Sequence, residues 1–321
     1  MKEETSLTPQ EVANILNIAK NTVYELIKRG ELTAFRVGRK LRVDPRDVEV
    51  YKRQGKKSEL AAAGSPVITE NLPLQVKFPN IEQTVDTAQE LVICGLDGML
   101  DILTRYLERH PQGVRAFRSY VGSFNGLLAL YQGKAHMAGV HLWDGESRTY
   151  NIPYVRRLLP GIPAVLVHLA CRMQGFYVAR GNPREIKSWR DLTRPDIRFI
   201  NREKGSGSRV LLDAFLHQLG VDRRSINGYE NEDFSHLAVA SAVARGEADM
   251  ALGNEREALQ VRGIDFVPVQ KERYELVIKK EDVEKPQFQA VLEILQSREF
   301  KTELEGLGHY DLTELGTTVE V

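Results

Sequence analysis

Two cysteines in 321 residues, Cys94 and Cys171, are too few and too far apart for a disulfide framework or a paired-thiolate metal site. Both lie in apolar runs and are expected to be buried free thiols. No apolar run approaches the ~18 residues of a membrane helix. The opening Met1-Lys2-Glu3-Glu4 leads into no signal-peptide core, so a cytoplasmic location with no membrane contact is expected. Net charge is lacking too: 44 Lys and Arg balance 44 Asp and Glu, which excludes a generic polyanion binder. Neither a Walker A Gly-Lys-Ser/Thr nor a dinucleotide Gly-x-Gly-x-x-Gly pattern occurs. No nucleophile–base pair or metal-ligand spacing stands out, so the chain is expected not to be an enzyme, with no catalytic residue, metal or cofactor.

What is present is uneven. Residues 1–60 hold 13 Lys and Arg against 9 Asp and Glu, leaving 31 against 35 in the remainder. A slightly basic head on a slightly acidic body suits a nucleic-acid module joined to something else. Thr8-Pro9-Gln10-Glu11 predicts a helix start, with Thr8 as cap, Pro9 at the first helical position and Glu11 closing a capping box. Val12, Ile15 and Leu16 follow at helical spacing. A second short helix is predicted from about Lys20 to Arg29, ended by Gly30. Ala34–Val37 and Lys40–Val43 flank Gly38-Arg39 as a basic hairpin, and Asp44-Pro45 opens another helix.

Helix, helix, basic hairpin, helix is the order of a winged helix-turn-helix. Asn21-Thr22-Val23-Tyr24-Glu25-Leu26-Ile27-Lys28-Arg29-Gly30-Glu31-Leu32 resembles the recognition helix of the excisionase-like branch of MerR-type DNA-binding domains. Arg36-Val37-Gly38-Arg39-Lys40-Leu41-Arg42-Val43 resembles their wing. A recognition helix puts its first residues at base edges, and asparagine pairs with adenine while lysine reads guanine or phosphate. The DNA-binding residues are therefore expected to be Lys20, Asn21, Thr22, Tyr24, Arg36, Arg39, Lys40 and Arg42. The expected partner is double-stranded DNA, read by a homodimer on two half-sites. Residues 1–54 form this head and 55–88 a linker of small and polar residues.

From 89 to 321, strand-like and helix-like runs alternate, which argues for an α/β fold with mostly parallel sheets. The chemistry gathers where strands end and helices begin. Gly205-Ser206-Gly207-Ser208-Arg209 and Gly122-Ser123-Phe124-Asn125-Gly126 offer free N–H groups and hydroxyls at helix starts, which favour an oxyanion. Gly95-Leu96-Asp97-Gly98 is a third such turn, but its carboxylate repels anions and is expected to cap its helix.

These segments resemble the periplasmic-binding-protein-like domains related to molybdate- and tungstate-binding proteins, in the form fused to helix-turn-helix heads. The carrying blocks are Gly122-Ser123 with Gly126–Leu130, Ala138–Leu142, Asn201-Arg202 with Gly205–Arg209, His236–Ala240 with Gly246–Asp249, Phe266–Val269 and Glu272-Arg273-Tyr274. The resemblance implies a two-lobed type II fold closing on a hinge. Lobe one is expected at about 89–168 and 270–321, lobe two at about 169–269. It also implies an anion, molybdate or tungstate, on Ser123, Asn125, Asn201, Arg202, Ser206, Gly207, Ser208 and Arg209. Gly95–Gly98 departs from the family by lacking a hydroxyl. A small organic anion, or a purely architectural DNA-binding role, remain the alternatives.

Replacing Arg39 and Arg42 by Ala is expected to flatten the salt dependence of DNA binding. The slope of log K against log salt should fall by about one for each phosphate that the wing no longer grips. Fluorescence anisotropy on a duplex across a salt series reads this, and an unchanged slope removes the wing from the interface.

Overall fold

A computed structural model describes residues 6–16, 18, 20–28, 32–37, 40–45, 47–48, 51 and 90–321. They fall into two compact units, one within residues 1–77 and one within 78–321. The linker expected at 55–88 lies outside the described residues, as do Arg39 and the side chains of Arg36 and Lys40. No helix of the described residues is long and apolar enough to cross a membrane.

The head begins with α1 (Pro9–Leu16) and α2 (Lys20–Lys28). The capping box forms as the sequence predicts: Thr8 N donates to Glu11 Oε2 at 2.6 Å, and Glu11 N to Thr8 Oγ1 at 3.3 Å. The wing is the antiparallel pair β1 (Phe35–Val37) and β2 (Lys40–Arg42). Val12, Ala13, Val23, Leu26, Leu32, Val43 and Val48 make one small core. Leu7 and Val43 exchange backbone hydrogen bonds of 2.8 and 2.9 Å, tying the start of the head to the end of its wing.

The body opens with β3 (Glu90–Cys94), α3 (Met99–Arg109), β4 (Arg115–Ser119), α4 (Ser123–Tyr131) and β5 (Met137–Val140). A small ribbon, β6 (Trp143–Asp144) with β7 (Thr149–Tyr150), and α5 (Ile152–Leu158) lead to β8 (Ala164–Ala179). Then come β9 (Phe199–Arg202), α6 (Gly207–Gln218), β10 (Glu232–Asp233), α7 (His236–Ala244), β11 (Met250–Asn254) and α8 (Glu255–Ala258). The chain returns along β12 (Ile264–Lys279) and ends with α9 (Lys280–Val283), α10 (Pro286–Gln296), α11 (Arg298–Leu307) and β13 (Thr318–Glu320).

One sheet runs β10-β9-β11-β8-β12-β5-β3-β4, with β13 added to β8. Its outer pairs, β9 with β10 and β11, and β3 with β4 and β5, are parallel. Its centre is antiparallel: β8 with β11, β12 and β13, and β12 with β5. The expectation of mostly parallel sheets is corrected to a mixed sheet. The alternation of strands and helices describes the arms, where βαβ crossovers force parallel neighbours. It does not reach β8 and β12, which have 16 residues each and span about 50 Å at a strand's rise. Each passes through both halves of the body. Pro268 falls where the β8–β12 register shifts, a place where its missing N–H is tolerated.

Alternate residues along each arm enter opposite cores. In one half, Leu91, Ile93 and Leu276 pack with α3, α10 and α11, while Val92, Cys94 and Val277 pack with α4 and α5. In the other, Phe176, Phe199 and Met250 pack with α6, and Tyr177 and Ala251 with α7 and α8. Each half is a sheet covered on both faces, and the middle of two strands carries one into the other. Phe288, fully buried under α3, tests the first half. Phe288→Ala is expected to cost about 3–5 kcal/mol, read as a lower urea midpoint for the body; a midpoint within error of the parent refutes that core assignment.

Candidate functional site

The apolar alternation stops at the middle of the two long strands. His168, Arg172, Gln174, Glu272 and Glu275 are all buried there. Arg172 and Glu272 are register partners, with Nη2 2.5 Å from Oε1. The other guanidinium edge pairs with Asp97, from the turn before α3, and the plane lies 4.2 Å from the Tyr274 ring centroid. Glu272 Oε2 accepts from Gln174 Nε2 at 2.9 Å and lies 2.7 Å from His141 Nδ1. Gln174 Oε1 in turn accepts from Ser208 Oγ on α6 at 3.1 Å. A polar chain therefore runs from the first half, across the crossing strands, into the second.

The charges in this chain are mutually fixed. Burial by itself would raise the Glu272 carboxyl; Arg172, then His141 and Gln174, overcome it and hold it at about 2. Burial opposes the charge on Arg172, and Glu272 and Asp97 keep it charged. As the sequence predicts, Asp97 caps its helix: Oδ1 accepts from Met99 N and from the Tyr310 hydroxyl, each at 2.7 Å.

Beside this chain lies a small cavity that opens to solvent at its mouth. Eight of its eleven lining residues carry polar side chains: Asp97, Ser123, His141, Arg172, His236, Asn254, Glu257 and Tyr274. Three helices begin at it: Asp97 precedes α3, Ser123 starts α4 and His236 starts α7. The dipoles of these helix starts make the cavity favourable for negative charge. Arg172 Nε, Tyr274 Oη, His236 Nδ1 and Glu257 Oε2 are buried with no hydrogen-bond partner among the described residues. Such groups are costly unless something satisfies them. Burial, then the charges of Arg202, His141 and Arg172, push His236 well below the usual histidine range. At neutral pH it is an uncharged imidazole with one donor.

Of the eight ligand residues expected from sequence, only Ser123 lines this cavity. Its hydroxyl accepts from His141 N at 3.2 Å. Asn201 is turned inward, Nδ2 donating to Tyr229 O and Oδ1 accepting from Arg202 N. Arg202 pairs with Glu203 at 2.8 Å and donates to the Asp233 and Phe234 carbonyls. Ser206 caps α6, accepting from Arg209 N. Ser208 donates to Gln174, and Arg209 donates to Arg202 O and covers the Tyr229 ring at 4.1 Å. Asn125 is half-buried beside Gly205.

The two Gly-Ser turns face each other. Phe124 N donates to Gly205 O at 3.0 Å. A Cβ on Gly122 would lie 2.7 Å from Gly205 O, and one on Gly207 2.4 Å from the His141 ring. Glycine is needed at both so that the halves can touch. Sequence reasoning therefore missed Arg172, Asn254, Glu257 and Tyr274 as lining residues. One signal was available: Arg172 is a lone cation inside the apolar run from Val165 to Ala179, and its partner strand carries two buried carboxylates, Glu272 and Glu275. In the head, Lys20, Asn21, Thr22 and Tyr24 are exposed on α2, with Tyr24 44% exposed rather than in the core. Arg42 is half-buried and reaches Ser6 O at 3.5 Å.

A sheet in two halves on crossing strands, with a polar cavity where they meet, is a two-lobed binding domain. The chain belongs to the PBP superfamily, whose domain matches residues 104–296; residues 6–56 match a helix-turn-helix domain. Uncharacterized protein YvgK of Bacillus subtilis (strain 168) is 41% identical over 319 residues, spanning 99% of each chain. A putative phosphate ABC transporter substrate-binding protein with bound phosphate, from Clostridium perfringens, superposes with a TM-score of 0.52 at 16% identity, over 70% of this chain and 99% of its own. An ancestral amino acid-binding protein, a precursor of cyclohexadienyl dehydratase, gives 0.51 at 16% identity, over 68% and 95%. At that identity the likeness shows the fold. Helix-turn-helix head and binding-protein body together make a DNA-binding protein with a ligand-binding domain.

Because Glu272 titrates at about 2 when folded and near 4.5 when unfolded, its contribution to stability is complete above pH 4.5. It is lost as pH falls towards 2. Glu272→Gln is expected to lower the body's urea midpoint at pH 7 and to flatten its decline between pH 4.5 and 2. Parallel pH profiles for parent and variant contradict this.

Proposed function

We propose that the chain is a cytoplasmic transcription regulator whose cleft senses a small oxyanion, with molybdate or tungstate as the ligands its sequence resemblance implies. The observation that carries this reading is the donor character of the cavity. Glu257 aside, its unpartnered buried atoms belong to donors: the Arg172 Nε–H, the Tyr274 hydroxyl and the His236 imidazole. They sit among three helix starts and the Ser123 hydroxyl. Neutral donors with one arginine suit an oxyanion, whose charge spreads over several acceptor oxygens. The polar lining and modest volume favour it over a larger organic acid.

The cleft is a binding site without catalysis in this reading. Ligand contacts from both halves favour their closure, and closure shifts the placement of two DNA-binding heads in a homodimer. That coupling requires the ligand to prefer the closed state. The contacts between the Gly122 and Gly205 turns are the surfaces that closure makes.

A thermal-shift panel of molybdate, tungstate, sulfate, phosphate and simple carboxylates tests the ligand class. A true ligand at 100 times its Kd adds about 2.7 kcal/mol of stability. It should also change the affinity for a DNA duplex in an anisotropy titration. Stabilisation by carboxylates alone overturns the oxyanion assignment, and ligand binding that leaves DNA affinity unchanged overturns the sensing role.

A further inference from the structure

Of the two carboxyls that line the cavity, Asp97 is paired and Glu257 keeps an unpartnered oxygen, and its position says how the site accommodates an anion. Glu257 Oε2 is buried at the cavity wall and accepts no hydrogen bond from the described residues. Its other oxygen is 4.0 Å from Arg256 Nη1 on the same helix. Glu255, also on α8, is turned to His309 Nδ1 at 3.3 Å. From the neighbouring elements the facing groups are Asp97, Tyr310, Arg172 and Tyr177 on β8, Glu272 and Tyr274 on β12, His141 after β5, and His236 at the start of α7. Arg172 is committed to two carboxylates, Asp97 and Glu272. Among the described residues the one ion pair of this carboxylate is the 4.0 Å contact of its other oxygen with Arg256, and Oε2 itself has no hydrogen-bond partner.

Burial, then Asp97, raises the Glu257 carboxyl, against Arg172, Arg256 and Asn254, which lower it. An anionic ligand in the cavity pushes in the same direction. Two oxygens that both bear negative charge repel at hydrogen-bond distance, whereas one proton between them turns the contact into a charge-assisted hydrogen bond.

Building on the oxyanion reading above, we propose that Glu257 makes ligand binding proton-linked. A fully deprotonated dianion such as tungstate or sulfate enters with uptake of one proton from solvent onto Glu257 Oε2. The Glu257 O–H then donates to a ligand oxygen. Hydrogen phosphate carries the required proton on its own oxygen and donates it to the Glu257 carboxylate, with no uptake. The cavity thereby counts protons as well as charge: it takes any small oxyanion for which one hydrogen sits in that contact.

Isothermal titration of the full chain with tungstate tests this in buffers of different ionisation enthalpy, across about pH 6 to 9, where buried glutamates can titrate. Proton uptake approaching one per tungstate is expected at the alkaline end, with log Kd rising by up to one per pH unit. Phosphate, measured where it is mostly hydrogen phosphate, should show little uptake. Glu257→Gln keeps a donor at that position without a titrating proton and should remove the pH slope for tungstate. Circular dichroism establishes that the variant folds, and the buffer series on the parent protein needs no variant. Tungstate binding with no proton uptake at any pH, or a Glu257→Gln slope equal to the parent's, overturns the proposal while leaving the oxyanion reading intact. Failure of every oxyanion to bind overturns both.

Discussion

The body hangs on one buried cross-strand pair, Arg172 with Glu272. Among the described elements β8 and β12 are the ones shared by the two halves of the sheet, and apolar packing gives way at their midpoint to charge. A guanidinium buried among tyrosines must be neutralised there, and Asp97 and Glu272 do it from two directions. Removing one member of such a group typically costs about 3–5 kcal/mol, because the remaining charge is left buried and alone. The pair also fixes the register of the strands, since any slip separates them.

The same charges set up the cavity. Asp97 is occupied by Arg172, Met99 N and Tyr310, so the carboxylate nearest the start of α3 presents little free negative charge to a ligand. Glu272 is occupied by Arg172, Gln174 and His141. What remains unmatched is a set of donors and a single carboxyl, Glu257. Through Gln174 and Ser208 the chain reaches α6 of the second half, so a ligand touching Arg172 acts on a network that both halves share.

Several features were legible from local chemistry. Thr8 and Glu11 form their capping box, the basic hairpin forms a wing, and Asp97 caps its helix, because each depends on residues at most a few positions apart. Strand and helix alternation in the arms was legible for the same reason. The lining of the cavity was not. Ser206, Ser208 and Arg209 have the chemistry of an anion turn, yet Ser208 and Arg209 are held by Gln174, Arg202 and Tyr229, from other strands and loops, while Ser206 caps its own helix. A turn that looks free in sequence is filled by residues up to 34 positions away.

The two modules, their family and the helix starts follow from the order of the residues, since periodicity, caps and turn residues act over short range. Which polar groups face the cavity is a matter of tertiary structure. Arg172, Tyr274, His236 and Glu257 lie on four different elements, and their burial and lack of partners arise from how two long strands cross. No local rule ties a lone arginine at 172 to a glutamate a hundred residues away; the antiparallel register of β8 and β12 does.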